Sequence, residues 1–246
     1  MAEAVYWKPA GARDSEDSVD LIEKPDLRDR EKVFSDRAHA GRILAELLEV
    51  FRESEAVVLA IPAGGVPGAA ALAGELGIAL DVAVVSKITP PTNTEVGYGA
   101  VAFDGSVGLN DELMERLSLA HEEIVEGVEK TAGKVQRRLE MLRGERPFPD
   151  LAGRTVILVD DGLASGFTML VAAQAVRRAG AARVFVAVPT AHLESLDRIA
   201  DEVEAVCCAN VRSGWSFAVA DAYVSWQDVS EEEAARILES FAPRGL

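Results

Sequence analysis

The sequence predicts an α/β fold: a central, mainly parallel sheet with helices on both faces. Three observations lead there. Short apolar runs of strand length recur at 56–61, 81–85, 155–159, 183–188 and 203–208. Most are separated by segments with helical spacing. The runs are also apolar throughout rather than alternating, which marks strands buried on both faces, as in sheets built from strand–helix–strand units. In such sheets ligands bind beyond the C-terminal ends of the strands, so the residues just after Ile61, Val85 and Val159 are where chemistry is to be sought.

Taken in order, residues 1–34 are polar and charged with little periodicity and read as an N-terminal arm. The main domain is expected over 35–246. Ser35 or Asp36 caps a helix carrying Ile43, Leu44, Leu47, Leu48 and Phe51 at helical spacing. The 56–61 strand is closed by Pro62 and Gly64-Gly65, and a helix over 69–76 ends at Gly77. A strand over 81–86 is followed by Lys87. Residues 98–109 alternate around Asp104-Gly105, a hairpin signal. The charged amphipathic stretch 111–143 predicts one or two helices, which Pro147 and Pro149 end, so 111–149 reads as a helical insertion after the hairpin. Helices over 167–179 and 193–200 alternate with the last strands. An aromatic, irregular 209–230 region reads as a hood, and Ser230 with Glu233 forms a capping box for the final helix.

Composition narrows the function classes. The chain has 246 residues, of which 49% are hydrophobic, enough for a large core and incompatible with a disordered chain. Its net charge of −16 opposes phosphate backbones, and no run of Lys or Arg offsets it, so no nucleic acid partner is expected. No apolar run is long enough to span a membrane and no secretory leader is evident, which makes a cytoplasmic location the expectation and a membrane partner unexpected. Cys207 and Cys208 are adjacent and read as core filling, and His39, His121 and His192 lack metal-ligand spacing.

The segment 156–168, Val-Ile-Leu-Val-Asp-Asp-Gly-Leu-Ala-Ser-Gly-Phe-Thr, carries most of the information. A buried strand ends in two carboxylates, Asp160 and Asp161. A loop of small residues with hydroxyls at Ser165 and Thr168 follows and opens a helix. Adjacent carboxylates accept hydrogen bonds from vicinal sugar hydroxyls or hold a cation. Gly162 and Gly166 allow close backbone approach, and amides entering a helix favour an anion. A diol site beside a phosphate nest describes a ribose 5-phosphate. The glycine spacing fits neither a P-loop nor a dinucleotide fingerprint, and Ser165 is not in a nucleophile elbow.

This segment resembles the signature of the type I phosphoribosyltransferases: a hydrophobic strand, two acids, then a Ser/Thr-Gly loop opening a helix. The resemblance implies a sheet covered on both faces, a variable hood, and binding of 5-phospho-α-D-ribose 1-diphosphate with Mg²⁺. By position, Asp160 and Asp161 would contact the ribose 2′- and 3′-hydroxyls and serve as catalytic residues and, directly or through water, as metal ligands. Gly162, Leu163, Ala164, Ser165, Gly166, Phe167 and Thr168 would form the substrate loop, with Ala164 to Thr168 on the 5′-phosphate. Ala63, Gly64 and Gly65 after the first core strand would be the diphosphate loop, where the family often has a non-proline cis peptide. Lys87 would supply the cation for diphosphate departure.

Two departures from the family pattern stand out. The 89–99 segment, placed as the catalytic loop, carries no Lys or Arg, only Glu95 as a candidate acceptor or base. Ala164 replaces the acid used by members that act on 6-oxopurines. A wider string through Lys87-Ile88, 95–102, Asp104-Gly105 and Leu109-Asn110 resembles a branch of the family with a helical insertion after the hairpin. Phe217, Tyr223 and Trp226 fall in the hood as candidates for stacking a planar acceptor. The function implied is transfer of a 5-phosphoribosyl group to a nitrogenous base, or the reverse, with release of diphosphate. The alternative is a non-catalytic regulatory protein that binds phosphoribosyl diphosphate or a nucleotide. The partners implied are these small molecules. The acceptor base is not legible, nor is the oligomeric state, a homodimer being one option.

Overall fold

The computed structural model describes residues 20–90 and 96–241. The expected arm before residue 20, residues 91–95 of the 89–99 loop with Glu95, and the last five residues lie outside the described residues. The main sheet has six strands, all parallel, in the order β1 (Asp20–Ile22), β9 (Ala205–Arg212), β8 (Arg183–His192), β7 (Thr155–Val159), β2 (Val57–Ala60) and β3 (Ala79–Val82). A second, antiparallel sheet holds β4 (Val85–Ile88), β5 (Gly99–Ala102) and β6 (Val107–Leu109).

Because side chains alternate across a strand, each central strand feeds two cores. Val58, Ala60, Ile157, Val159, Phe185 and Cys207 face one core with α1 (Arg37–Leu47), α2 (Gly65–Leu76), α4 (His121–Arg143) and α7 (Glu231–Phe241). Val57, Leu59, Val156, Leu158, Val184, Val186 and Cys208 face the other with α5 (Phe167–Arg178) and α6 (Leu193–Ile199). The second sheet continues both cores: Ile88 and Val101 join the first, Val85, Ala100 and Ala102 the second. The helical insertion is α3 (Asp111–Arg116) followed by α4, which lays Val135 and Leu142 against the first core, buries Arg138 and Arg143 in ion pairs with Glu231 and Asp81, and leaves its other charged residues exposed.

Helix ends follow the local chemistry. The Asp36 side chain accepts from the His39 amide at 2.7 Å, Ser230 Oγ accepts from the Glu233 amide at 3.1 Å, and Gly77 ends α2 in the left-handed region at φ 66°. The Asp104-Gly105 hairpin forms where expected, with Gly105 at φ 81°.

Three elements differ from the sequence reading. The run expected as one strand over 81–86 is split: Ala83 makes the last bond toward Ala60, and the chain crosses to the second sheet, where Val85 pairs with Ala102. Both halves are buried, so apolarity gave no sign of the change of sheet. Lys87 is therefore inside β4, opposite Ala100, rather than after a strand of the main sheet. Finally, the latter part of the 1–34 arm is built into the fold. Asp20–Ile22 adds an edge strand to β9, and the fully buried Asn210 reaches the carbonyl of Arg30 at 3.2 Å and accepts from Thr190 Oγ1 at 2.8 Å. A buried amide side chain must find partners, and the arm supplies them.

Helices α1 and α2 meet at two glycines. A Cβ on Gly41 would lie 2.1 Å from the Gly68 carbonyl oxygen, which is backbone and has no rotamer through which to yield. Gly41→Ala is expected to destabilise the fold by about 1–3 kcal/mol through overpacking, measured as a lower urea midpoint at unchanged m-value. An unchanged midpoint would show that the two helices do not pack this closely.

Candidate functional site

The site lies where the sheet rule places it, beyond the C-terminal end of β7. A cleft of about 430 Å³ is lined by Asp160, by every residue of 162–168, and by Lys87 across from them. Val96, Gly97, Gly99 and Leu113 close its far side, so the insertion contributes one wall through α3.

The loop after β7 owes its shape to its neighbours. Leu163 is buried and forms a parallel bridge with Ala191: its amide donates to the Thr190 carbonyl at 2.9 Å, and its carbonyl accepts from the His192 amide at 3.1 Å. Strand β8 thus runs past 188, where its apolar run ended, to hold this loop. The Ala164 carbonyl accepts from Ser195 Oγ and the Ser165 carbonyl from the Arg198 guanidinium, both on α6. In a trans peptide the N–H points opposite to the C=O. Tying these two carbonyls to α6 therefore turns the Ser165 and Gly166 amides away from α6. Among the described residues, neither amide donates to a protein acceptor. Gly166 caps α5 at φ 74°, and a Cβ there would meet the Ser195 carbonyl at 2.9 Å. Two amides without a protein acceptor thus stand at a helix N-terminus, an arrangement that suits an anion, and Arg198 lies on the α6 side of the loop. Ser195 and Arg198 carry no motif signal and escaped the sequence reading.

The two acids behave differently. Asp160 lines the cleft, its Oδ1 accepting from the Asp161 amide at 2.8 Å. Burial, and then the adjacent Asp161 charge, push its carboxyl well above the usual carboxylate range. Asp161 is raised by burial, a shift opposed by Arg37. Its carboxylate pairs with Arg37 Nε at 2.9 Å and lies against Gly64, where a Cβ would come within 2.2 Å of Oδ2. A buried carboxylate next to another needs a cation, and Arg37 provides it.

Ala63, Gly64 and Gly65 do not line the cleft. The Pro62–Ala63 peptide is cis. The Gly65 amide donates to the Ile61 carbonyl at 3.0 Å, and a Cβ on Gly65 would lie 2.7 Å from the Val159 carbonyl oxygen. The glycine pair here makes room for the end of β7 and its acids.

The hood aromatics are likewise engaged. Tyr223 is buried and donates to the Asp161 carbonyl at 2.6 Å, its hydroxyl pKa raised by burial and then by Asp161. Trp226 lies under the Arg37 guanidinium at 3.8 Å, and Phe217 packs on His192. Among the described residues no three His, Cys, Asp or Glu side chains gather as a metal site.

The raised Asp160 pKa has a stability consequence whose sign is fixed. Native protein binds this proton more tightly than unfolded chain, so the penalty grows as pH rises from about 3.8, the unperturbed carboxyl value, toward the folded value. Asparagine mimics the protonated form. Asp160→Asn is expected to melt above the parent at pH 7, with the gap closing near pH 4. Equal melting temperatures across this range would mean the carboxyl is not held against ionisation.

Comparison with known proteins places this geometry. The family model of the phosphoribosyl transferase domain matches residues 34–222. A protein of Mycobacterium tuberculosis strain H37Rv, named "Putative phosphoribosyl transferase Rv0571c", is 37% identical over 210 residues, 85% of this chain and 47% of the relative. Its counterpart in strain CDC 1551 gives the same figures. The chain thus spans about half the length of the curated relatives it matches. The crystal structure of TT1426 from Thermus thermophilus is 34% identical and covers 85% of this chain and 99% of its own, with a TM-score of 0.69. With the parallel sheet, the cleft behind β7 and a match over most of its length, the chain belongs to the phosphoribosyl transferase domain family.

Proposed function

We propose that the chain transfers a 5-phosphoribosyl group between 5-phospho-α-D-ribose 1-diphosphate and a nitrogenous base. The observation that carries this reading is that the Ser165–Gly166 loop, Asp160 and Lys87 line one cleft. The 5′-phosphate sits on that loop. Asp160 accepts from the ribose hydroxyls, and Lys87 faces the diphosphate. The C1–O bond to diphosphate breaks with both electrons leaving on the diphosphate oxygen, the ring becomes oxocarbenium-like, and the base nitrogen forms its bond from the opposite side with inversion. No side chain of the chain acts as a nucleophile in this scheme. Catalysis rests on positioning and on charge placed where it develops.

The donor set fits Mg²⁺ carried in by the substrate. A single cleft carboxylate with a raised pKa gains from a nearby cation, and Mg²⁺ commonly takes one or two carboxylates plus substrate phosphates. Asp160 would hold it, and the ion would supply charge neutralisation to the leaving diphosphate. Lys87 does the same from the protein side, in a chain whose 89–99 loop has no Lys or Arg.

The test is diphosphate release from the sugar diphosphate with Mg²⁺ and a panel of nitrogenous bases. Release with at least one base, above the level without acceptor, is expected. Tight binding of the sugar diphosphate with no turnover of any base would favour the regulatory reading, and absence of both binding and turnover would contradict both. Lys87→Ala is expected to lower turnover by on the order of 10²-fold while binding of a nucleoside monophosphate changes little. A matching loss in monophosphate affinity would remove Lys87 from the diphosphate.

A further inference from the structure

Lys87 owes its place to the residues on either side of it. Side chains alternate along β4, so Lys87 faces the cleft while Ser86 and Ile88 face helix α4 of the insertion. Both neighbours are held there. Buried Ser86 accepts from Arg138 Nη1 at 3.2 Å, and fully buried Ile88 packs against Gly127. Tyr98 fills the space beside that glycine. It is 1% exposed, and a Cβ on Gly127 would lie 2.1 Å from its hydroxyl oxygen and 3.1 Å from Ile88 Cγ2. Glycine inside a helix costs stability relative to alanine, and here the room it leaves is taken by the Tyr98 phenol.

Tyr98 is in turn bound to the cleft wall. Its amide donates to the Ile88 carbonyl at 2.9 Å, and its carbonyl accepts from the Asn110 amide at 2.9 Å. The Asn110 side chain caps α3, accepting from the Leu113 amide at 3.0 Å. Gly97, Gly99 and Leu113 all line the cleft. The Gly97 backbone lies on the Lys87 stem, where a Cβ would come within 3.2 Å of Lys87 Cβ and 3.3 Å of Cδ. A packed series therefore runs from α4 through Tyr98 and Gly97 to Lys87, and both helices of the insertion meet it.

We propose that Tyr98 is a positioning residue: seated in the notch at Gly127, it makes the helical insertion the support that holds Lys87 and the adjoining wall of the cleft in place. The proposal rests on the phosphoribosyl reading and adds to it the device that sets the lysine against the diphosphate. The 89–99 segment supplies no Lys or Arg, so the placement of Lys87 matters the more.

The test is a size swap. Gly127→Ala puts a methyl group where the Tyr98 hydroxyl lies, and Tyr98→Phe removes that hydroxyl while leaving the ring. With Mg²⁺ and an accepted base, Gly127→Ala is expected to lower turnover of the sugar diphosphate on the order of 10²-fold, the loss that a misplacement of about 1 Å causes. The loss is expected in kcat, with affinity for a nucleoside monophosphate little changed. Combining Gly127→Ala with Tyr98→Phe is expected to restore most of the turnover. Adding Gly127→Ala to Lys87→Ala is expected to cost little further, because both act on the same cation. Should Gly127→Ala fold too poorly to assay, Tyr98→Leu, which withdraws the ring from the notch, is expected to show the same loss confined to turnover. Should the parent bind the sugar diphosphate without turnover, the same comparisons are read on affinity for inorganic diphosphate with Mg²⁺.

A ligand-free arm runs beside it. Hydrogen exchange at the Tyr98 and Asn110 amides is expected to accelerate in Gly127→Ala and to slow again in the combined variant. A parent that neither binds nor turns over the sugar diphosphate sinks the phosphoribosyl reading, while the exchange arm still decides whether Tyr98 is seated at Gly127. The positioning role is overturned if Gly127→Ala matches an active parent, if monophosphate affinity falls as far as turnover, or if the combined variant recovers nothing.

Discussion

Two carboxylates on consecutive residues are buried at the end of a central strand, and the rest of the site is arranged around that fact. Ionised carboxylates this close repel each other, and burial removes the water that would screen them. Both acids have their pKa raised in consequence, Asp160 the more strongly. One cation, Arg37, is set against the second acid and is held by an indole, a carbonyl and the first turn of a helix. Removing one partner of such a pair is far more damaging than never having had it. The N-terminal end of α1 and the 223–227 segment are therefore bound to the strand that bears the site.

The phosphate side of the cleft is organised by a different device. Here backbone direction matters more than side-chain charge. Helix α6 takes the carbonyls of Ala164 and Ser165, strand β8 takes both backbone groups of Leu163, and the amides that remain point away from α6 at the N-terminus of α5. The loop is fixed by packing alone, so an anion bound as proposed would carry little ordering cost. The acidic chain, at net charge −16, gains a local positive site without a cluster of basic side chains facing the ligand.

The parts of this arrangement that lie close together in the chain were legible in the sequence. Asp160 to Thr168 form a contiguous strand, loop and helix start, and the order of residue types carries the chemistry. The parallel sheet was equally plain from its unbroken apolar strands, and the hairpin from Asp104-Gly105. What could not be read were partners brought together only by folding. Arg37 meets Asp161 across 124 positions, and Ser195 and Arg198 meet the loop across about thirty, with nothing in their local patterns to set them apart from surface residues. The break between β3 and β4 was hidden for another reason: residues 82–86 are buried on both sides of the crossing, so the run looks continuous. At Gly64-Gly65 the absent side chains were legible, but not that the acids after β7 pack directly against them. The contacts of Tyr223 and Trp226 with Arg37 and with each other are likewise partners that only folding brings together.

The central claim is that this cleft grips one phosphorylated pentose, through the backbone amides of Ser165 and Gly166 at one end and the carboxylate of Asp160 at the other. A crystal structure with ribose 5-phosphate bound tests it most directly. Phosphate oxygens are expected on those two amides, ring hydroxyls on Asp160, and the Arg37–Asp161 pair intact. A phosphate seated elsewhere, or ring hydroxyls that reach no member of the acidic pair, would contradict it.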